Sequence, residues 1–232
     1  MTRRLVLFDI DGTLLLSAGA GRRAVLATLS GVVDDAGVFD GIRFDGKTDP
    51  QIVGEMLAAA GHPDRDDPER IRALCHRYAT LLEAELRVNG HRTRVMPGVH
   101  ALLDRLEADA RVVLGLLTGN IAPGAALKLQ SARIDPARFR VGAYGSDSAH
   151  RPDLPAIAAR RAAPLFGRTP GGDEVVIIGD TPADVTCGRG IGARAIAVAT
   201  GSYSVEELAS AGAHRVFADL SDVEAVVEAI HR

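Results

Sequence analysis

Short apolar runs, each ending in a polar residue or glycine, recur along this 232-residue chain and constrain its fold more than any other feature. They are LVLFD (5–9), VVLGLLTGN (112–120), EVVIIGD (174–180), ARAIAVAT (193–200) and RVFAD (215–219). Such runs are typical of strands buried on both faces, as in a parallel sheet. Helical patterns lie between them, so we predict an α/β fold with a doubly wound parallel sheet.

The stretch from residue 15 to residue 95 interrupts this alternation, since it contains helical patterns but no convincing buried strand. We expect a short helix at residues 22–30, a second helix after Thr48 or Asp49, and a third from Asp67 to Gly90. The chain leaves the first strand at its carboxyl end, where open α/β sheets bind ligands. We therefore predict a core domain (1–14 and 96–232) and a small α-helical cap domain (15–95) inserted after the first strand.

The overall composition is that of an ordinary globular protein. Hydrophobic residues make up 47% and charged residues 25%, and the net charge is −3, which gives no sign of a nucleic-acid or membrane surface. The N-terminus lacks the features of a signal peptide, so a cytoplasmic location is expected. Cys75 and Cys187 lie far apart and are expected to be free thiols. We expect a monomer or a homodimer.

Polar residues follow several of the apolar runs, and a parallel sheet would bring them to one edge. They are Asp9, Asp11, Thr118, Gly119, Asn120, Asp180 and Asp184, with Arg151 just before a helical pattern. Carboxylates this close repel one another unless a positive charge lies between them. Oxygen ligands without histidine or cysteine favour a hard cation, hence Mg²⁺ as cofactor. Arg151 would add to that positive charge.

These motifs resemble those of a known superfamily. DIDGT (9–13), the threonine of LLTGN, the cationic residue Arg151 and GDTPAD (179–184) look like motifs I to IV of the haloacid dehalogenase (HAD) superfamily, in order and over nearly the whole chain. The insertion point resembles subfamilies with a helical C1 cap, such as phosphoglycolate phosphatase-like proteins. The resemblance implies a Rossmann-like core and a Mg²⁺-dependent phosphatase that hydrolyses a small phosphorylated metabolite, phosphoglycolate-like or a sugar phosphate.

The resemblance also implies roles for the carboxylates. Asp9 matches the nucleophile that forms an aspartyl-phosphate, and Asp11 matches the general acid and base. An aspartate at position 11 favours phosphate-ester chemistry over dehalogenation. Asp180 would bind Mg²⁺ together with Asp9 and the backbone carbonyl of Asp11, and Asp184 would hold water or the cationic residue.

The remaining motif residues would contact the phosphate. Thr118 and the backbone N–H groups near Gly119 and Asn120 match the groups that hold phosphate oxygens. Arg151 stands where the superfamily usually has a lysine, and it binds phosphate with a different geometry. Lys128 is a rival for this role, although it lies in the middle of a helical pattern.

The cap loop at residues 39–52 offers candidates for substrate contact. Lys47 and Thr48 are predicted to reach the phosphate or the leaving group, and Arg43 would add positive charge. The alternative is that Thr48 or Asp49 only caps the next helix. Arg22 and Arg23 are expected at the surface, and the alternative is that they face the cleft.

Two other functions remain open on the same motifs. A phosphomutase of the β-phosphoglucomutase type would share the aspartyl-phosphate but pass the phosphoryl group to a sugar hydroxyl. A non-catalytic metabolite-binding protein of the same fold is the other alternative, because a fold alone does not prove an activity.

Overall fold

The computed structural model describes residues 3–33, 39 and 41–232 of the chain. Residues 1–2, 34–38 and 40, which belong to the predicted core and cap segments, lie outside the described residues. The strands are β1 (Arg4–Phe8), β2 (Leu15–Leu16), β3 (Arg94–Val95), β4 (Val112–Thr118), β5 (Val141–Tyr144), β6 (Val175–Gly179), β7 (Arg194–Val198) and β8 (Arg215–Phe217). The helices are α1 (Ala20–Leu29), α2 (Asp49–Ala59), α3 (Pro68–Asn89), α4 (Val99–Glu107), α5 (Ala122–Ser131), α6 (Leu154–Phe166), α7 (Pro182–Cys187), α8 (Val205–Ser210) and α9 (Val223–His231).

Six of the strands form one sheet in the order β5-β4-β1-β6-β7-β8, and every neighbouring pair is parallel. The strand β1 therefore lies inside the sheet, between β4 and β6. The carboxyl ends of all six strands face the same edge, which is where ligands bind in folds of this class. The predicted doubly wound parallel sheet is confirmed.

The strand β5 was not predicted from the sequence. It has four residues, lies at the edge of the sheet, and alternates buried and half-buried side chains. A strand that is covered on one face only does not produce a continuous apolar run. The missed strand matters for the site, because the loop after β5 leads to Arg151.

Alternate residues of the central strands pack on opposite faces of the sheet. On one face Phe8 and Ile178 pack against helices α4, α5 and α9. On the other face Leu7 and Ile177 pack against α6 and α7. Each fully buried aliphatic or phenylalanine side chain contributes about 1.5–3 kcal/mol to the free energy of unfolding, so this layer holds the strand ends rigidly in place.

The helices of the insert have a hydrophobic cluster of their own. Side chains of α1, α2 and α3, among them Leu57, Tyr78 and Leu82, pack together, and Ile121 joins them from the loop before α5. At the junction, Leu15 and Leu16 of β2 pair antiparallel with Val95 and Arg94 of β3. The predicted boundaries at 14–15 and 95–96 lie at this two-stranded ribbon, and the division into cap and core domains stays a prediction.

The two long helices of the insert begin where their capping residues predict. Thr48 is the N-cap of α2 and its hydroxyl accepts a hydrogen bond from Gln51 N, while Pro50 lies in the first turn. Asp67 caps α3 in the same way, accepting from Glu69 N. The capping residue of α2 lies beside the carboxyl edge of the sheet, so this helix is fixed close to the motif residues.

Candidate active site

Asp9 and Asp11 lie in the turn that follows β1. Asp9 is buried, with an exposed fraction of 7%, and its backbone N–H donates to Ile178 O of the neighbouring strand at 2.9 Å. Gly12 follows with a φ of +84°, a conformation that L-residues with side chains rarely adopt. The turn allows the chain to leave the sheet while both carboxyl groups stay at its edge. The side chain of Asp11 remains 39% exposed.

Asp180 and Asp184 reach the same place from β6 and the first turn of α7. Thr13 is fully buried, and its hydroxyl donates to Asp180 Oδ1 at 2.9 Å. Asp184 Oδ2 accepts hydrogen bonds from the N–H and the hydroxyl of Thr181, at 3.0 and 2.7 Å. Thr181 and Asp184 thus form a capping box that begins α7 and also fixes one carboxylate of the site.

Two glycines enclose the carboxylate of Asp180. A Cβ on Gly12 would lie 2.2 Å from Asp180 Oδ2, and a Cβ on Gly201 would lie 1.9 Å from the same atom. Both distances are far below van der Waals contact, so only hydrogen atoms fit at these positions. The backbone of two loops therefore holds this carboxylate in one place.

The carboxylates of Asp9, Asp180 and Asp184 form a buried cluster whose oxygen atoms lie within 4.8 Å of one another. Burial raises the pKa of Asp9 to about 7, with Arg151 opposing the shift and Asp184 adding to it. Burial also raises the pKa of Asp180 well above its ordinary value, and the charges of Asp184 and Asp9 raise it further. This is the electrostatic signature of a site that a cation stabilises.

Arg151 supplies positive charge from a single 3₁₀ turn, Arg151–Asp153. Its Nη2 lies 3.3 Å from Asp9 Oδ1 and also donates to Asp184 Oδ1. Burial alone would lower its pKa, but the charges of Asp184 and Asp9 raise it above the ordinary value. Arg151 stays charged and holds the nucleophile candidate, although it lies in a loop before a helix and not at the end of a strand.

Thr118, Gly119 and Asn120 follow β4 at the same edge. The side-chain amide of Asn120 donates to Thr118 Oγ1 and to Asp11 Oδ2, each at 2.8 Å. Gly119 is packed so closely that a Cβ would lie 2.0 Å from Lys47 O. The structure therefore brings the predicted phosphate-contacting residues next to Asp11 and beneath the loop of the insert.

Lys128 reaches the site from the middle of α5. Its ammonium Nζ donates to Asp11 Oδ2 at 2.6 Å, and its side chain is only 6% exposed. Burial lowers its pKa, but the charges of Asp11 and Asp49 outweigh burial and raise it. The two rival cations thus contact different carboxylates, Lys128 holding Asp11 and Arg151 holding Asp9.

The loop of the insert places its predicted substrate residues differently. Thr48 is fully buried, and its hydroxyl donates to Ala149 O at 2.8 Å besides capping α2. Lys47 lines the cavity, but its ammonium pairs with Glu55. Arg43 pairs with Asp45 and is 63% exposed. Thr48 therefore caps α2, as the alternative predicted, and it also joins the insert to the core. It is not among the residues that line the cavity.

A cavity of about 660 Å³ lies over these groups. Its floor is formed by motif residues, including Asp9, Asp11, Thr118, Arg151 and Asp180, and its roof by the insert, including Val25, Ile42, Phe44, Ile52 and Tyr78. The volume accommodates a small metabolite. The floor is charged, and the roof combines apolar side chains with the cationic residues Arg22, Arg43 and Lys47.

Three residues of this cavity were not predicted as site residues from the sequence. Arg22 was expected at the surface, but it lines the cavity and its guanidinium lies 4.8 Å from the ring centroid of Phe44. Asp49 was considered only as a cap, yet it is buried and its Oδ2 accepts a hydrogen bond from Ile121 N at 2.8 Å. Burial raises the pKa of Asp49 to about 6, and Lys128 opposes that shift. Tyr78 belongs to an apolar helix stripe, which gives no signal of a site.

Comparison with known proteins identifies the family. A family model described as HAD-hydrolase-like matches residues 152–223. A phosphoglycolate phosphatase from Rhodospirillum rubrum is 31% identical over 225 residues, which cover 95% of this chain and 89% of that protein. The chain belongs to the haloacid dehalogenase (HAD)-like hydrolases. The phosphatase relative and the HAD-like fold together make it a phosphatase.

Solved structures share the HAD-like fold over the whole length of the chain. A hydrolase from Pseudomonas syringae is 24% identical with a TM-score of 0.71, and the similarity covers 98% of both chains. CbbY from Rhodobacter sphaeroides, solved in complex with phosphate, is 23% identical with a TM-score of 0.71 and 96% of both chains covered. In the part of the HAD-like chain that the structure describes, no helix is long and apolar enough to cross a membrane.

The residues of this site fit the divalent metal that HAD phosphatases generally use. The cluster of Asp9, Asp180 and Asp184 is the one group of potential metal-ligating side chains found within residues 3–33, 39 and 41–232. Asp184 already accepts hydrogen bonds from Arg151 and Thr181, so Asp9 and Asp180 offer the available carboxylate oxygens. The carboxylate of Asp11 is not in this cluster. Ligation by its backbone carbonyl stays a prediction.

Proposed function

We propose that this protein is a Mg²⁺-dependent phosphatase that hydrolyses a small phosphomonoester, phosphoglycolate-like or a sugar phosphate, through an aspartyl-phosphate on Asp9. The observation that carries the proposal is the buried pairing of Asp9 with Arg151 beside Asp180, at the floor of the cavity. A carboxylate is a weak nucleophile unless its neighbours orient it and neutralise the approaching phosphate. This arrangement supplies both conditions.

In the first step, a carboxylate oxygen of Asp9 attacks phosphorus, and the bond from phosphorus to the ester oxygen breaks. Asp11 donates a proton to that oxygen, so the product leaves as an alcohol. Bound Mg²⁺ would neutralise negative charge on the transferring phosphoryl group. Asp9 and Asp180 would hold the ion, since their oxygens are the available ligands of the cluster.

In the second step, Asp11 accepts a proton from a water molecule, which attacks the phosphorus of the aspartyl-phosphate. The bond from phosphorus to Asp9 breaks, and inorganic phosphate leaves with both carboxyl groups returned to their starting state. One carboxyl group can serve both steps because Asp11 loses a proton to the leaving oxygen in the first step and regains one from water in the second. The partial exposure of Asp11, 39%, gives it access to the cavity.

The phosphate would be bound by groups on two loops. Thr118 offers its hydroxyl, and the backbone N–H groups around Gly119 and Asn120 lie in the same turn. Two buried polar atoms at this edge, Arg151 Nε and Asn120 Oδ1, have no hydrogen-bond partner among the residues described. Buried polar groups are rarely left unpaired in a finished site. In this proposal a phosphate or water oxygen accepts from Arg151 Nε, and a water molecule donates to Asn120 Oδ1.

The substrate class follows from the roof of the cavity and from the relative. Arg22, Arg43 and Lys47 are the cationic side chains that the insert contributes to the described lining. They would bind a second anionic group, such as the carboxylate of phosphoglycolate, or the hydroxyls of a sugar. The similar Rhodospirillum rubrum protein is named phosphoglycolate phosphatase, so phosphoglycolate is the first substrate to test.

The decisive experiment is phosphate release from a panel of phosphorylated metabolites, with Mg²⁺ and with chelator, for wild type and Asp9→Asn. We expect release that needs Mg²⁺ and is lost in the variant. Full activity in Asp9→Asn or in chelator contradicts the mechanism. Conversion of β-glucose 1-phosphate to its isomer without free phosphate, in the presence of a bisphosphate primer, would show a phosphomutase instead.

A further inference from the structure

Both donors that reach the carboxylate of Asp11 contact the same oxygen. Lys128 Nζ lies 2.6 Å from Asp11 Oδ2, and Asn120 Nδ2 lies 2.8 Å from that atom. No hydrogen bond to Asp11 Oδ1 occurs within the described ranges of the chain. The carboxylate is therefore fixed through one oxygen while the other stays open, which is the arrangement a proton-transferring carboxyl group needs.

Lys128 lies at the junction between the core and the insert. It belongs to α5, yet the space around its ammonium is closed by the insert. A Cβ on Gly21 of α1 would lie 3.3 Å from Lys128 Nζ and 3.6 Å from Tyr78 Oη of α3. Asp49 of α2 adds a second buried negative charge near the lysine. The ammonium is thus enclosed by three helices of the insert and by Asp11.

An isolated buried ion pair gives little net stability, because desolvating the two charges costs about as much as their attraction returns. Lys128 and Asp11 are also unequally buried, since the lysine side chain is 6% exposed and the aspartate side chain 39% exposed. Burying a lysine so deeply to reach a half-exposed carboxylate is costly for stability alone. Orientation of that carboxylate explains the arrangement better.

We propose that Lys128 is a positioning residue for Asp11, which holds Oδ2 so that Oδ1 faces the leaving oxygen and later the attacking water. The inference rests on the proposed function, since it assigns Asp11 the proton transfers. Lys128 does not touch the reacting atoms. Because Gly21 and Asp49 of the insert enclose its ammonium, the orientation of Asp11 is tied to contact between the insert and the core.

The test compares two esters that differ in their need for a proton on the leaving oxygen. The first is 2-phosphoglycolate, or the alkyl phosphate that the wild type cleaves best, and the second is 4-nitrophenyl phosphate, whose leaving group departs without protonation. The ratio of kcat/KM between them reports the first step. This ratio is measured for wild type, Lys128→Met and Asp11→Asn. Gln130→Met is the control, since Gln130 is exposed on the same helix.

We expect Lys128→Met to decrease kcat/KM for the alkyl ester about 10- to 100-fold. The decrease in kcat/KM for the aryl ester should be about ten times smaller. Asp11→Asn should change the ratio in the same direction and further, and Gln130→Met should change nothing. Melting temperatures confirm that each variant is folded. If Lys128→Met does not fold, Lys128→Gln replaces it, with the same expected change in the ratio.

An equal loss on both esters in an active background shows a merely structural lysine and overturns the inference, as does no loss at all. Failure of the proposed function is recognised separately, because the wild type itself then releases no phosphate from any ester. That result overturns the positioning role as well, since no proton transfer remains for Asp11 to perform.

Discussion

The guanidinium Nη2 of Arg151 lies 3.3 Å from Oδ1 of Asp9, and both side chains are more than nine-tenths buried. The same nitrogen also contacts Asp184. Arg151 therefore compensates two carboxylates that would otherwise repel each other in a low dielectric. It also offers a planar donor group beside the candidate nucleophile, where a superfamily lysine would offer a single point charge.

Removing this arginine should destabilise the fold as well as abolish activity. Arg151→Met leaves Asp9 and Asp184 buried without their partner, and breaking a buried pair in this way costs about 3–5 kcal/mol. Arg151→Lys keeps the charge but has a shorter side chain without the planar donor group, so it should restore most of the stability and little of the activity. Chemical denaturation and kcat measured side by side check this. Equal activity of Arg151→Lys and wild type would contradict it.

A methyl group at Gly201 should disturb the metal site and leave the fold intact. The Cβ of Gly201→Ala would lie 1.9 Å from Asp180 Oδ2, so the carboxylate must move. We expect the affinity for Mg²⁺ to fall about 10- to 100-fold, with little change in metal-free melting temperature. Titration of Mg²⁺ by calorimetry and by activity measures the effect.

The matched control is Gly190→Ala, because a Cβ at Gly190 meets nothing within 4 Å. That variant should bind Mg²⁺ like the wild type. If both alanine variants bind Mg²⁺ normally, Asp180 is not a ligand in the position described.

The sequence predicts the sheet and its edge because buried parallel strands leave a strong pattern. LVLFD and EVVIIGD each carry their carboxylates directly after the strand, so parallel strands place Asp9 and Asp180 at the same edge, and they meet there because β1 and β6 are neighbours. The short strand β5, Val141–Tyr144, has no such pattern because it lies at the sheet edge and is covered on one face. Local apolar content measures burial and not strand pairing.

The contacts between insert and core were not predictable in the same way. Lys128 and Asp49 are 79 positions apart in the numbering, and only the packing of the insert on α5 brings their charges near Asp11. A lysine inside a helical pattern usually lies in solvent. Lys128 is one of two lysines in the sequence, but its partner became known only from the distance to Asp11 Oδ2.

Stability of the metal-free protein should fall as pH rises towards neutrality. The pKa of Asp9 is raised to about 7, against about 3.9 in an unfolded chain. Between these values the folded state binds more protons than the unfolded state, so the free energy of unfolding decreases with increasing pH. Asp9→Asn should flatten this dependence and raise the metal-free melting temperature at pH 8.

Added Mg²⁺ should reverse the trend, because the cation and the proton compete for the same carboxylates. The increase in melting temperature on adding Mg²⁺ is expected to be larger at pH 8 than at pH 6, and small in Asp9→Asn. Thermal unfolding with Mg²⁺ or chelator at both pH values measures it. An equal increase at the two pH values would argue against Asp9 as a ligand.

Asp109 lies far from the active site and should stabilise the fold at neutral pH. This stabilisation should be lost in acid. It precedes β4, at the opposite edge of the sheet, and accepts hydrogen bonds from Arg111 Nε at 2.9 Å and Nη2 at 2.6 Å. His231 Nε2 of α9 lies 3.1 Å from Asp109 Oδ2. The hydrogen bond from Arg111 holds the pKa of Asp109 well below its ordinary value, while burial opposes that shift.

A carboxyl group with a lowered pKa stabilises the fold above its unfolded pKa of about 3.9, and that contribution is lost as pH falls towards the folded value. Asp109→Asn should therefore reduce the free energy of unfolding at pH 7 by about 1–3 kcal/mol, with activity unchanged. The difference in the free energy of unfolding between Asp109→Asn and wild type should narrow between pH 5 and pH 3. Urea denaturation across this range checks it, with Asp66→Asn as control, since the Asp66 side chain is 91% exposed. A gap that stays constant with pH would show that ionisation of Asp109 carries none of its stabilising effect.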